Sequence, residues 1–215
     1  MLDYWTWAFS DLVGNTERGV LAEYLVAKAI GARSPVRNSW AAYDIDAPDG
    51  TKIEVKSASY VQSWHQSKLS AINFSIRKTL EWIPEKNKLG IDKKRQSDVY
   101  VFCLLNQKDK HKVNPLDLGQ WEFYVIPTSV LDREMGDTQS ISLALVQQHS
   151  PVYTFKQLEQ LEVNGYSLAL FEDSEGPMNE HSTDVVIVGG GLVGVATAYF
   201  LAVRGIESVV VEKDG

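Results

Sequence analysis

Asp44, Glu54 and Lys56 are the residues of this sequence whose types and spacing best suit chemistry on a phosphodiester. Tyr43-Asp44-Ile45-Asp46 and Ile53-Glu54-Val55-Lys56 each alternate polar and apolar residues, and Pro48-Asp49-Gly50 lies between them. That is the pattern of a β-hairpin. Pro48 suits the first turn position and Gly50 the left-handed position of a three-residue loop. The turn then sets the register: Ala47 faces Thr51, Asp46 faces Lys52, and Asp44 faces Glu54. Directly opposed side chains lie about 5 Å apart, where like charges repel.

A divalent cation would remove that repulsion. Mg²⁺ takes hard oxygen ligands from one or two carboxylates and fills its octahedron with waters and phosphate oxygens. Glu54 and Lys56 are two apart on one strand and share a face, with Ile53 and Val55 on the other. A metal there could stabilise charge on a scissile phosphate, and the Lys56 ammonium could orient a water or stabilise the developing charge. Asp46 is the alternative to Asp44 as first ligand. The competing reading is a solvated polar face in which Lys56 neutralises its neighbours.

The elements that must position these residues follow from periodicity. Val20, Leu21, Leu25, Val26, Ala29 and Ile30 recur at three- and four-residue spacing, which predicts a helix from Asn15 to Ile30 stopped by Gly31. Glu23 borders its apolar face, where a carboxylate needs a partner. Asp98 to Leu105 and Trp121 to Ile126 read as buried strands joined by a polar loop, and residues 128 to 170 carry short helical patterns that would cover a flank of the sheet. With 215 residues, 44% apolar and 23% charged, the chain can bury a full core. The single cysteine, Cys103, excludes an internal disulfide or a cysteine zinc site and should pack as a small hydrophobe. The first ten residues lack a basic leader pattern, and a cytoplasmic protein is expected.

The net charge of -7 is unevenly spread: residues 61 to 113 carry +6 and residues 114 to 180 carry -9. Arg77, Lys78, Lys86, Lys88, Lys93, Lys94 and Arg95 crowd the positive stretch, a patch that attracts phosphate backbones if it is more than a solvated loop. Trp64 and Trp82 border it and could stack on bases or sugars, though tryptophans more often pack in cores; His65 is a further candidate, but a lone histidine beside a tryptophan is more often incidental.

A helix bearing Glu23, then Asp44, then Glu54-x-Lys56 on the next strand resembles the PD-(D/E)XK, or restriction-endonuclease-like, nuclease superfamily, over residues 15 to about 105 and more loosely to about 170. The Asp lacks the proline of the motif's name. The resemblance implies an α/β fold with a mixed sheet flanked by helices, over residues 1–171. It implies that Asp44 and Glu54, with the Val55 carbonyl, bind Mg²⁺ or Mn²⁺. Lys56 would be the catalytic lysine, Glu23 the helical glutamate and Gln62 the glutamine that several members carry near the site. DNA would be the substrate, and a homodimer would suit cutting of two strands. A nucleic-acid-binding module without catalysis is the alternative from another class.

Residues 172–182 read as an acidic linker with Gly176 and Pro177. Residues 183–215 change character. Val185 to Val203 is a charge-free run of 19 residues, long enough to span a membrane, but three consecutive glycines argue otherwise and no membrane is expected. A strand runs into Gly189-x-Gly191-x-x-Gly194, a helical pattern follows to Arg204, and a second strand ends at Glu212. In such a unit Gly189 makes the turn, Gly191 admits pyrophosphate, Gly194 permits close packing and the acid binds ribose hydroxyls. The segment resembles the start of FAD-dependent oxidoreductases of the D-amino-acid-oxidase kind. It is expected to be an incomplete Rossmann β-α-β unit that binds FAD only in a complete domain, through truncated or joined reading frames, so that oxidoreductase activity is not expected.

Overall fold

The structure is a computed structural model describing residues 2–34, 36–83, 87–163, 185–188 and 208–211. The apolar stripe read from the sequence winds into helix α2 (Asn15–Ala29), preceded by an aromatic helix α1 (Leu2–Phe9) whose residues are all unburied. The α2 core stripe is Ala22, Leu25, Val26 and Ala29, with Arg18 in line one turn earlier. Val20, expected on that face, is 41% exposed because it sits off the stripe. Gly31 follows the helix at φ +64°, the left-handed conformation that stops it.

Strands follow in order: β1 (Ile45–Asp46), β2 (Lys52–Ser59), β3 (Asn73–Ser75), β4 (Thr79–Ile83), β5 (Lys88–Lys94), β6 (Val99–Leu105), β7 (Trp121–Pro127), β8 (Ser140–Ser142), β9 (Val185–Val188) and β10 (Ser208–Val211). Helices α3 (Thr128–Met135), α4 (Leu143–His149) and α5 (Phe155–Val163) complete the described elements. The main sheet has the order β1-β2-β6-β7. β2 is antiparallel to β1 and parallel to β6, and β6 is antiparallel to β7. The fold is therefore mixed α/β around a mixed sheet.

Every residue of β6 is buried, as a central strand requires. Val99, Val101, Cys103 and Leu105 join Ile53, Val55, Phe123 and Val125 under α2 and Leu158 of α5. Tyr100, Phe102 and Leu104 face the other way, with Phe74, Leu131, Ile141 and Val146. The helices after β7 thus cover both faces of the sheet, where the sequence promised one flank. Burial raises the Cys103 thiol pKa well above its ordinary value.

The basic stretch is not a loop. β4 and β5 pair as an antiparallel ribbon, Thr79 with Lys94 and Ile83 with Lys88, forming a sheet of their own. Lys88 to Lys94 has almost no buried residue, so it lacks the apolar alternation by which a strand is read from sequence. β9 and β10 pair in parallel, Val185 with Ser208 through Val188 with Val211, as the two strands of a β-α-β unit should. The linker, Gly189, Gly191, Gly194, Glu212 and Lys86 lie outside the described residues. Among the described residues no helix is long and apolar enough to cross a membrane.

Candidate active site

The site begins with the turn that brings β1 against β2. The Gly50 N–H donates to the Ala47 carbonyl at 3.0 Å and the Ala47 N–H to the Thr51 carbonyl at 2.9 Å, with Gly50 at φ +97°. Ile45 then pairs with Ile53 and Asp46 with Lys52, the register set by a three-residue loop. Beyond Ile45 the register does not step on to an Asp44–Glu54 pair: the Asp44 N–H donates at 3.0 Å to the carbonyl of Ile53, the residue that Ile45 already faces. Its carboxylate turns inward: Oδ2 accepts from the Val55 N–H at 2.8 Å. Asp46 is exposed and faces Lys52, whereas Asp44 is half-buried.

Burial is the main reason the Asp44 carboxyl is pushed up to about 6; the Glu54 charge adds to it, the Val55 hydrogen bond opposes it, Glu23 adds again and Lys56 opposes. Glu23, Asp44 and Glu54 therefore share one electrostatic environment although they come from α2, the residue before β1, and β2. Lys56 Nζ forms an ion pair with Glu54 Oε1, both side chains being half-buried. Glu54 and Lys56 stand beside Tyr100 and Phe102 of β6, which give the acid and ammonium an aromatic floor.

Glu23 has the partner its position demanded, and it is Arg37. The guanidinium grips both carboxylate oxygens, Nη2 donating to Oε1 at 2.9 Å and Nε to Oε2. The Glu23 hydrogen bond is the main cause that raises the Arg37 pKa, with a further contribution from Asp44. Glu23, Asp44 and Arg37, with Tyr24, Asn38 and Tyr43, line a cleft of about 270 Å³. Arg37 was not singled out from the sequence. The signal was available: a half-buried glutamate implies a cation, and Arg33 and Arg37 are the two between α2 and the hairpin.

Gln62 is in different company. It is buried, its Nε2 donates to the Ser59 carbonyl at 2.8 Å and Ser70 Oγ at 3.2 Å, and its Oε1 accepts from Arg18 at 3.4 Å. It lines a second cavity that shares no residue with the cleft. Among the basic residues, Arg77, Lys88, Lys93 and Lys94 are exposed, and Lys78 pairs with Asp137 at 2.9 Å. Arg95 is the correction. Its side chain is buried, pairs with Asp132, and donates to the carbonyls of Ile76 at 2.9 Å and Gly136 at 3.0 Å, so it is withdrawn from any strand lying on the surface. Trp64 is exposed, whereas Trp82 stands half-buried opposite Leu89 on the ribbon.

A family model described as bacteriophage T4 endonuclease IV matches residues 6–143, which take in Glu23, the hairpin, Gln62 and the basic ribbon. The chain belongs to that family. The endonuclease IV match stops short of the C-terminal segment, where a second family model, FAD dependent oxidoreductase, matches residues 184–215. There the chain is also similar to aklavinone 12-hydroxylase RdmE of Streptomyces purpurascens, 53% identical over 36 residues, which are 17% of this chain and 7% of that protein. The nuclease domain is thus joined to a small stretch resembling an FAD-dependent oxidoreductase.

The donor set of the endonuclease IV domain bears on which metal it could hold. Among the described residues no group of three or more His, Cys, Asp or Glu side chains converges as a metal cage. Two nearby carboxylates, one of them a half-buried and destabilised anion, instead fit a hard cation that retains several waters.

Proposed function

We propose that the domain is a Mg²⁺- or Mn²⁺-dependent nuclease that hydrolyses DNA phosphodiester bonds with a site of the PD-(D/E)XK kind. The observation that carries this reading is the half-buried Asp44 carboxyl, pushed up to about 6 by desolvation and the nearby Glu54 charge and held in place by the Val55 amide. An anion so disfavoured has a use if a cation arrives. Asp44 and Glu54 would hold the metal, with the Val55 carbonyl as a further ligand. When bound, the metal supplies positive charge against the scissile phosphate and acidifies water.

The chain's own groups do the rest. Lys56 is fixed by its pair with Glu54 and is free to exchange that carboxylate for a water or a non-bridging phosphate oxygen. Its positive charge then stabilises the charge that develops as the P–O bond breaks. Glu23 and Arg37 form a charge-balanced wall of the cleft, so the carboxylates are not left facing one another alone. The exposed lysines of β5 supply attraction for the strand at a distance from the chemistry.

The test is incubation of plasmid, linear duplex and single-stranded DNA with Mg²⁺ or Mn²⁺. Glu54→Ala and Lys56→Ala should each lower cleavage about 100-fold or more while leaving the circular dichroism spectrum unchanged. Cleavage that persists in both variants and in EDTA would end this reading. Salt-sensitive binding without cleavage would leave a nucleic-acid-binding module.

For the C-terminal segment a second reading is favoured by the parallel pairing of β9 with β10 and by the oxidoreductase match. It is FAD binding at Gly189, Gly191, Gly194 and Glu212. Purified protein would then show flavin absorbance, and a colourless chain that takes up no added FAD decides against it.

A further inference from the structure

Arg18 is 4% exposed, yet every partner it has is a neutral oxygen. Nη1 donates to the Val13 carbonyl at 2.8 Å and to Gln62 Oε1 at 3.4 Å, and Nη2 to Asn15 Oδ1 at 2.8 Å. Nε is buried with no partner. No ion pair among the described residues includes Arg18, and burial lowers its pKa with no carboxylate acting against it. A buried cation without a counter-charge is among the most costly arrangements a fold can retain.

Lys110, by contrast, is exposed, but it too is held by neutral oxygens. Its Nζ donates only to carbonyls, of Ser63 at 3.2 Å and Trp64 at 2.6 Å. Lys110 lines the second cavity, about 340 Å³, whose wall also includes Val13, Gln62 and Ser63. Arg18 lies directly behind that wall, since two of its three acceptors belong to it. Asp11 also lines the cavity, with one oxygen accepting from the Gly14 N–H at 3.3 Å. Two cations against one carboxylate leave the cavity positive.

We propose that this cavity binds a phosphate of the nucleic-acid strand adjacent to the scissile one, with Arg18 and Lys110 as its positioning residues and Gln62 as the movable wall between them. This rests on the nuclease reading above. The Arg18–Gln62 bond is the longest of the three Arg18 bonds and near the limit for a hydrogen bond, so it is the contact an arriving phosphate oxygen replaces. Arg18 precedes Glu23 by five residues on α2, about 7.5 Å of helix rise. That is about two base steps of 3.4 Å along a strand.

The test uses the full chain in EDTA, titrated with inorganic phosphate against chloride at constant ionic strength and followed by thermal unfolding and ³¹P NMR. Wild-type protein should show a saturable rise in Tm. Arg18→Gln and Lys110→Gln should each weaken phosphate binding about 10-fold or more, a loss worth about 1.4 kcal/mol. In the Mg²⁺ cleavage assay both should raise KM more than they lower kcat, the mark of a lost binding contact. A wild-type response no different from chloride, or a phosphate response that survives Arg18→Gln, overturns the proposal. If Arg18→Gln does not fold, Lys110→Gln at the exposed edge decides alone. A chain that binds phosphate through Arg18 but cuts nothing sinks the nuclease reading and keeps the anion site; one that cuts DNA but ignores phosphate does the reverse.

Discussion

The Asp44 carboxyl is a stability liability with a defined pH signature. Its pKa is raised in the folded chain to about 6 from an ordinary 3.8. Folding therefore favours its protonated form: the contribution is intact below about pH 4 and is lost as pH rises through about 6. About two pKa units correspond to roughly 3 kcal/mol at neutral pH. Asp44→Asn keeps an oxygen for the Val55 amide but carries no charge to bury. In EDTA, urea unfolding should therefore find the Asn variant more stable than wild type at pH 7.5 by an amount of that order, and about equal to it at pH 4. Mg²⁺ should narrow the gap by binding wild type alone. A variant that is less stable at pH 7.5 would mean that the native carboxylate is already well compensated. The same residue shows how much of the site was legible. The pairing of Ile45 with Ile53 and Asp46 with Lys52 was legible because a three-residue loop with glycine at its left-handed position fixes register locally, but the expected step on to Asp44 and Glu54 is not taken, since Asp44 bonds to Ile53. That Asp44 is half-buried and Asp46 exposed depends on packing between segments distant in the chain, which no local pattern carries.

Among the elements, the ribbon depends on a buried root. Arg95 follows β5 directly and binds Asp132 at α3, the Gly136 carbonyl just beyond it and the Ile76 carbonyl before β4. One guanidinium thus ties both ends of the ribbon to the sheet's helical cover. Arg95→Ala would strand those carbonyls, at a cost of about 3 kcal/mol or roughly 6–12 °C in Tm for a chain of this size. Calorimetry is the check, and an unchanged Tm would show that the ribbon is held by its strand pairing. In the sequence Arg95 is one more charge in a basic run, because its partners lie 37 and 41 residues further along the chain. The ribbon itself was hidden for the complementary reason: a two-stranded sheet in water needs no buried face, so it leaves no periodicity to read. Arg18 and Gln62, 44 residues apart, were equally out of reach as a pair. The α2 helix was plain because its apolar residues form one stripe, and β6 and β7 because the residues of both their faces are buried.

Over the whole molecule, charge and chemistry are divided. The net positive segment contains the exposed ribbon lysines, while the carboxylates of the site belong to the hairpin and α2. Attraction and cutting should then be separable. Replacing Lys88, Lys93 and Lys94 together by Gln should reduce the salt dependence of DNA binding by about 2 to 3 in the log–log slope, since each phosphate contact contributes about 0.7–0.9. Lys78→Gln should change it little, because Lys78 is already paired with Asp137. Anisotropy titrations at several salt concentrations measure both, and an unchanged slope in the triple variant would move the DNA off the ribbon. Cys103, the one thiol of the chain, lies at the centre of the sheet with no surface exposed. No reagent can touch it until β6 parts from its neighbours, so the rate at which a thiol dye labels the native protein reports opening of the whole domain. The molecule carries its own clock, and metal or phosphate need only be added to see it slow.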